Sequence, residues 1–241
     1  MWLGLLWALT GTNALAQEVR PADLVAAFES TAVRPLIAEL DRPQAYGGLA
    51  LGGVLTLGDG FAVPIGGGFG LTDRWELGVD LALGVVPFDV LDRARLYGRF
   101  GAVPGHLAVQ LGAWLPTERG EAAGLELMLP ARWEGDVWQV YGQARASLVV
   151  ATGALASGVG TTLVRTIVGP LNGALDVGLA GRTAAGQTAL ALMGGPALGV
   201  NIGPATLVRG RLSFPALWAS GGGGGLDART AELVVVRQFG G

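Results

Sequence analysis

A strict alternation of large apolar residues with small or charged ones dominates the segment from Phe61 to Val86. Between Trp75 and Val85 every odd position is large and apolar, and every even position is glycine, alanine or an acid. Successive side chains of a β-strand point to opposite faces, so this period of two predicts a strand with one apolar face. The second face is small and partly charged rather than hydrated and polar. That pattern favours a membrane barrel, in which large residues face lipid and small or charged ones face the interior.

The same alternation recurs along the rest of the chain, separated by short breaks. We predict an all-β fold, a membrane-spanning antiparallel up-and-down β-barrel of about twelve strands, with ten to fourteen as the range. A tilted spanning strand needs about 9–11 residues, which the segments satisfy. The predicted strands are Ala45–Leu57, Phe61–Leu71, Trp75–Val86, Arg93–Ala102, His106–Leu115, Ala122–Trp133, Val137–Val150, Ser157–Val168, Gly173–Arg182, Gln187–Val200, Ala205–Trp218 and Ala228–Phe239.

The breaks fall into two sets that alternate along the chain. One set consists of compact turns containing Gly, Pro or Asp, at Asp73, Gly105, Gly135, Pro170 and Gly203. The other set is mostly longer and includes Pro87–Asp92 and the five glycines 221–225. In a barrel with an even number of strands, we expect the compact turns to face the periplasm and the longer loops to face outward.

Composition agrees with a membrane protein, since 51% of the 241 residues are hydrophobic and only 15% are charged. A helical membrane protein is the alternative, because 146–164 and 183–208 carry no charge and are long enough to span. Glycines and prolines interrupt both stretches, however. Elsewhere, charges such as Arg93 and Arg95 fall at every second residue, which a helix exposed to lipid tolerates poorly.

The N-terminus divides into two further segments before the barrel. Residues 1–16 are predicted to be a signal peptide, because the apolar run is short and Ala14-Leu15-Ala16 suits cleavage. Residues 17–44 lack glycine and have helical character, which predicts a periplasmic N-terminal extension, a disordered leader or a plug inside the barrel. Residues 45–241 form the predicted barrel.

Charged and amide side chains share one strand face in six of the predicted strands. Facing lipid near the midplane costs a charge about 2–4 kcal/mol, so this face is expected to line the lumen. The candidates are Glu76, Asp80, Arg93, Arg95, Arg99, Glu126, Arg132, Gln139, Gln143, Arg145, Asp176, Arg182, Arg209 and Arg211. One interpretation is a narrow passive channel for small solutes, with a modest anion preference supplied by Arg93, Arg95 and Arg99. The other is an ion-pair network, with Glu76 and Asp80 pairing the arginines, that fills a closed structural barrel without flux.

Tryptophans lie near the ends of several predicted strands. Such positions are typical of the aromatic girdles at the two membrane interfaces. The predicted girdle consists of Trp75, Trp114, Trp133, Trp138 and Trp218. A track of stacked rings that binds sugars is the alternative interpretation.

An enzyme is not expected. A lipid hydrolase would need a nucleophile beside a base, and His106, the only histidine, has no serine in the four residues that follow it, Leu107-Ala108-Val109-Gln110. The absence of cysteine and the single histidine argue against thiolate and histidine-rich metal sites, and no cofactor is expected. The chain also has no basic block, so nucleic acid is not expected as a partner.

The segment Gly70–Leu81, GLTDRWELGVDL, resembles a hairpin of uncharacterised, porin-like or transporter-type outer-membrane β-barrel proteins of Gram-negative bacteria. The resemblance implies localisation in the bacterial outer membrane, with its lipid and the barrel-assembly machinery as partners. That machinery reads an alternating last strand ending on an aromatic. Here Ala231, Leu233, Val235 and Phe239 fit that pattern, whereas Arg237 interrupts it.

Overall fold

The computed structural model describes residues 47–56, 60–72, 74–86, 88–103, 106–115, 123–184, 187–203, 206–220, 225–226 and 230–239. The predicted signal peptide and N-terminal extension lie outside these residues. So do the loop glycines 221–224 and the predicted turn residues Asp73 and Gly105.

The described residues form twelve antiparallel strands in one sheet, which confirms the predicted fold class and strand number. Each strand pairs with its neighbours in sequence, and the first strand also pairs with the last, from Gly47↔Phe239 to Thr56↔Thr230, so the barrel is closed. In order, the strands are β1 Gly47–Thr56, β2 Gly60–Gly70, β3 Trp75–Val86, β4 Phe88–Val103, β5 Leu107–Leu115, β6 Gly124–Glu134, β7 Trp138–Val149, β8 Leu155–Val168, β9 Leu171–Ala184, β10 Gln187–Asn201, β11 Thr206–Ala219 and β12 Thr230–Phe239.

The predicted loop Pro87–Asp92 is wrong. Strand β4 begins at Phe88, directly after the end of β3 at Val86, with only Pro87 between them. The register between these strands shifts by two residues between Ala82 and Gly84, so extra residues of β4 are accommodated as a bulge. The bulge interrupts the alternation of side chains in this part of β4 without ending the strand, which is why the sequence suggested a loop.

The uncharged stretches considered as membrane helices fold as strands instead. Residues 146–164 belong to β7, β8 and the turn between them, and the described part of 183–208 belongs to β9, β10 and β11. Within the described ranges, no helix has the length and apolarity to cross a membrane.

Short turns connect the strands at one rim of the barrel, which we call the turn rim. Its described connections follow β2, β4, β6, β8 and β10, and the opposite end is the loop rim. Gly169 and Gly203 adopt positive φ angles of 53° and 69° in two of these turns, a conformation that glycine adopts without a steric penalty. In another, the Thr72 hydroxyl accepts hydrogen bonds from the backbone N–H groups of Arg74 and Trp75, at 3.2 and 3.1 Å. The predicted polar turn is therefore stabilised by hydrogen bonds within the turn itself.

The barrel has the opposite polarity to a soluble protein, with an apolar outer face and a polar inner face. Large apolar side chains such as Leu96, Leu125 and Leu175 are exposed on the outer face. The largest fully buried side chains are polar or charged and point inward, with Arg95, Arg99 and Glu76 among them. An apolar exterior around a polar interior is the distribution expected of a barrel surrounded by lipid.

Candidate functional site

The interior of the barrel brings together most of the predicted lumen residues. Buried inner positions are occupied by Glu76, Arg95, Arg99, Glu126, Gln143, Arg145, Arg209 and Arg211. Asp80, Arg132, Asp176 and Arg182 lie on the same face with partial exposure, and Gln139 is exposed where β7 begins at the turn rim. Arg93 pairs with Ala82 in the backbone ladder, and its side chain lies outside the described residues.

Arg95 is the centre of one group of charged side chains on the β3–β7 wall. Its Nε donates to Asp80 Oδ2 at 2.9 Å, and its Nη1 donates to Glu126 Oε1 at 2.8 Å. Arg145 pairs with the second carboxylate oxygen of Glu126. The side chain of Arg95 is fully shielded from solvent, whereas that of Asp80 is 18% exposed. A chain of alternating charge therefore runs along the inside of the wall from β3 to β7.

Trp114 lies inside this group, which corrects its assignment to the interface girdle. The guanidinium carbon of Arg95 is 5.2 Å from its ring centroid, and that of Arg145 is 5.1 Å away. On β5 it shares a face with Gln110 and Gly112, because the three occupy every second position of the strand. Nearness to a strand end suggested an interface position, but the phase of the strand places the indole between two cations, where cation–π attraction stabilises it.

A second row of side chains crosses the same wall nearer the turn rim. Glu76, Arg99 and Gln110 are directly opposite one another on β3, β4 and β5. Arg99 donates to Glu76 Oε2 at 3.3 Å and to Gln110 Oε1 at 2.8 Å. The Tyr97 hydroxyl donates to Glu76 Oε1 at 3.2 Å. Gln110 and Tyr97 were not among the predicted lumen residues, although their strand phase points inward.

Two glycines make room for these rows. Gly78 pairs with Tyr97, and Gly112 pairs with both Tyr97 and Glu126. A Cβ atom at Gly78 would overlap the Tyr97 ring, and one at Gly112 would lie 3.7 Å from the Glu126 Cβ. Gly78 and Gly112 therefore leave space on the inner face, and the longer side chains of the neighbouring strands occupy it.

The β9–β12 wall holds a second group of charged side chains. Asp176 Oδ2 lies 3.0 Å from Arg209 Nη2 and 3.6 Å from Arg211 Nε. Arg211 Nε is also 3.7 Å from Glu232 Oε2. These contacts bridge β10, which contributes Gly195 opposite Asp176 and so no side chain that would separate the charges. The hydroxyl of Thr162 also donates to Asp176.

Glu232 and Thr162 were missed by sequence reasoning. Glu232 occupies the inner phase of β12, between the outward residues Ala231 and Leu233. Glu232 alternates with apolar neighbours in the sequence, but only those apolar neighbours were interpreted, as the outer face of the last strand. Thr162 carries no charge, and only its pairing with Asp176 in the sheet register identifies its role.

The rims carry the remaining polar side chains. Arg132 pairs with Glu134 at the turn rim, and the Tyr141 hydroxyl donates to Gln139 Oε1 at 2.8 Å. His106 Nδ1 lies 3.2 Å from the carbonyl oxygen of Arg132, in an exposed position. Within the described part of the chain, no group of three or more acidic or histidine side chains is placed to hold a metal ion.

Four of the five predicted girdle tryptophans lie on the outer face. Trp75, Trp133 and Trp138 flank the turn rim and Trp218 lies near the loop rim, with exposed fractions between 45% and 59%. Trp75 packs against Phe100 with ring centroids 5.0 Å apart. These rings have the two-level placement of an interface girdle.

Comparisons with known proteins agree with this architecture. No protein-family model and no curated protein sequence matches the chain. Among solved structures it is similar to the KdgM porin, with a TM-score of 0.56 and 9% identity over 80% of this chain and 99% of that one. The NanC porin gives a TM-score of 0.57 and 10% identity over 80% and 99%. An outer membrane channel from Pseudomonas putida F1 gives 0.55 and 13% over 81% and 95%. The resemblance to porin-like outer-membrane barrels is therefore confirmed at the level of the fold.

Proposed function

We propose that this protein is a narrow passive channel of the bacterial outer membrane, which conducts small solutes with a modest anion preference. The observation that carries the proposal is the band of charged side chains on the inner face of a barrel whose outer face is apolar. Such a band offers polar partners to a solute that would otherwise cross hydrocarbon. The fold shared with proteins named as porins and as an outer membrane channel supports the same function.

The lumen should be narrow. Twelve strands enclose less space than the 16–18 strands of large porins, which leave an aqueous channel. Long side chains on the β3–β7 wall occupy part of that space, since Arg95 and Arg99 are each only 1% exposed. Small hydrated ions are therefore the solutes we expect to pass first.

The anion preference needs a source beyond Arg95 and Arg99, two of the three arginines first considered. Arg95 and Arg99 each pair with carboxylates, so their fields are largely cancelled. Arg182 lies on the inner face near the loop rim, with Ala156 and Ala189 beside it on the neighbouring strands. Within the described part of the chain, no carboxylate forms an ion pair with it. We assign the preference chiefly to this arginine at the loop-rim mouth.

A closed structural barrel is the second candidate, and one observation favours it. Several inner side chains on the two walls have little contact with solvent, such as Glu76 at 0% and Arg209 at 5% exposure. If such packing extended across the whole lumen, it would leave no continuous water path. In that case the charged groups would serve to stabilise the interior.

Conductance of the purified protein in a planar lipid bilayer under a salt gradient distinguishes the two functions. A channel should give stable single-channel steps and a reversal potential on the anion side. If the full chain and a variant without residues 17–44 both insert and neither conducts, the closed barrel is the better account. Conductance only after that deletion would identify the N-terminal extension as a plug.

A further inference from the structure

The outer face of the barrel carries charge at only two of the positions whose side chains the structure describes. Arg165 lies between the outward residues Leu163 and Ile167, and Arg237 follows the outward residue Val235. Both lie within three residues of the end of their strand at the turn rim, since β8 ends at Val168 and β12 at Phe239. The described outward-facing strand side chains include no carboxylate. The cost of a lipid-facing charge is large at the bilayer midplane and small at the interface, so these arginines mark the headgroup level.

Each of these two arginines is held by a side chain directly opposite on the neighbouring strand. Arg165 pairs with Trp138 in the register of β7 and β8, and its guanidinium carbon is 5.3 Å from the indole centroid. Arg237 pairs with Thr206, and its Nη1 donates to the threonine hydroxyl at 2.9 Å. These contacts restrict two long side chains that would otherwise be mobile. Each of the two guanidinium groups is thereby oriented in advance beside the lipid.

We propose that Arg165 and Arg237 bind the phosphate groups of anionic glycerophospholipids in the leaflet around the turn rim. A guanidinium group presents a planar set of N–H donors that matches the oxygens of a phosphate and remains charged at any physiological pH. Trp138 places an apolar ring beside the bound lipid, as aromatic residues at the headgroup level do. A net negative headgroup is favoured over a zwitterionic one, because a zwitterionic headgroup carries a cation of its own, which the guanidinium groups repel. The inference does not depend on whether the barrel conducts.

Binding of defined lipids to the purified full-length protein tests the inference. The protein in detergent micelles is titrated separately with phosphatidylglycerol, phosphatidylcholine and lipid A, and bound lipid is counted by native mass spectrometry. Phosphatidylglycerol should bind more tightly than phosphatidylcholine. Arg165→Gln and Arg237→Gln should each weaken its binding about fivefold, the change expected for one arginine near a charged membrane surface. Binding of phosphatidylcholine should change little.

Arg182→Gln is the matched control, because it removes the same charge from the inner face. Arg165→Lys separates charge from geometry, since an ammonium group retains attraction without the planar donor set. Heat-modifiable gel migration confirms that each variant is folded. Equal binding of phosphatidylglycerol and phosphatidylcholine by the native protein would overturn the inference. So would an equal loss in Arg182→Gln, or capture of lipid A in preference to phosphatidylglycerol by the same two arginines.

Discussion

At the scale of single residues, the charged interior is organised by shared carboxylates. Glu126 accepts a hydrogen bond from Arg95 with one oxygen and forms an ion pair with Arg145 through the other, and both arginines also face the Trp114 ring. The side chain of Glu126 has no solvent contact, so water cannot replace either partner. Breaking such a buried set by removing one member is strongly destabilising, because it leaves an uncompensated charge.

Substitution of Glu126 measures this dependence. Glu126→Gln retains the size of the side chain but leaves Arg95 and Arg145 without its charge, so we expect a loss of about 3–5 kcal/mol in the free energy of unfolding. Glu134→Gln is the control, since its pair with Arg132 is at the rim and its side chain is 43% exposed. That change should cost only about 0–1 kcal/mol. Urea unfolding of the refolded protein in micelles gives both values, and equal losses would contradict the structural account.

At the scale of strands, the alternation of side chains predicted the features that depend on local sequence. It did not predict the features that depend on how neighbouring strands pair. Strand number and the inner position of Arg95, Asp176 and Arg209 follow from a period of two, which the sequence displays directly. The side-chain partners depend on register across the sheet, as when Asp176 reaches Arg209 over the glycine of β10. The bulge that extends β4 to Phe88 is likewise a property of two strands together. Trp114 was misplaced because it lies near a strand end, whereas its strand phase points inward.

Labelling of introduced cysteines tests the orientation of the strands in the membrane. We expect the turn rim to face the periplasm, where the short turns of such barrels lie. The native chain has no cysteine, so each variant carries a single thiol. Ala151→Cys, in the exposed turn between β7 and β8, should react with an impermeant maleimide on intact cells. Asp136→Cys, in the exposed turn between β6 and β7, should react only after the outer membrane is permeabilised. The reverse pattern would show that the barrel is inserted the other way up.

At the scale of the whole molecule, the ion-paired side chains described on the two charged walls nearly balance in charge. The β3–β7 wall sets Arg95, Arg99 and Arg145 against Glu76, Asp80 and Glu126. On the β9–β12 wall, Arg209 and Arg211 face two carboxylates, those of Asp176 and Glu232. A strong transverse field needs opposite charges on opposite walls, and here each wall contains both signs. Ion selectivity should therefore be weak and set where a charge remains unbalanced.

Arg182 is such a position among the described side chains, and its substitution should change selectivity without changing the fold. Its neighbours on β8 and β10 are alanines, so Arg182→Gln removes charge at the loop-rim mouth without breaking a described ion pair. Reversal potentials in a salt gradient should move toward zero in Arg182→Gln and to the cation side in Arg182→Glu, because low-dielectric walls concentrate the field of a charge at a narrow opening. Arg165→Gln, which makes the same change on the outer face, should retain the native value. A native reversal potential in Arg182→Glu would show that ions do not pass this residue, and would transfer the anion preference to charges elsewhere in the barrel.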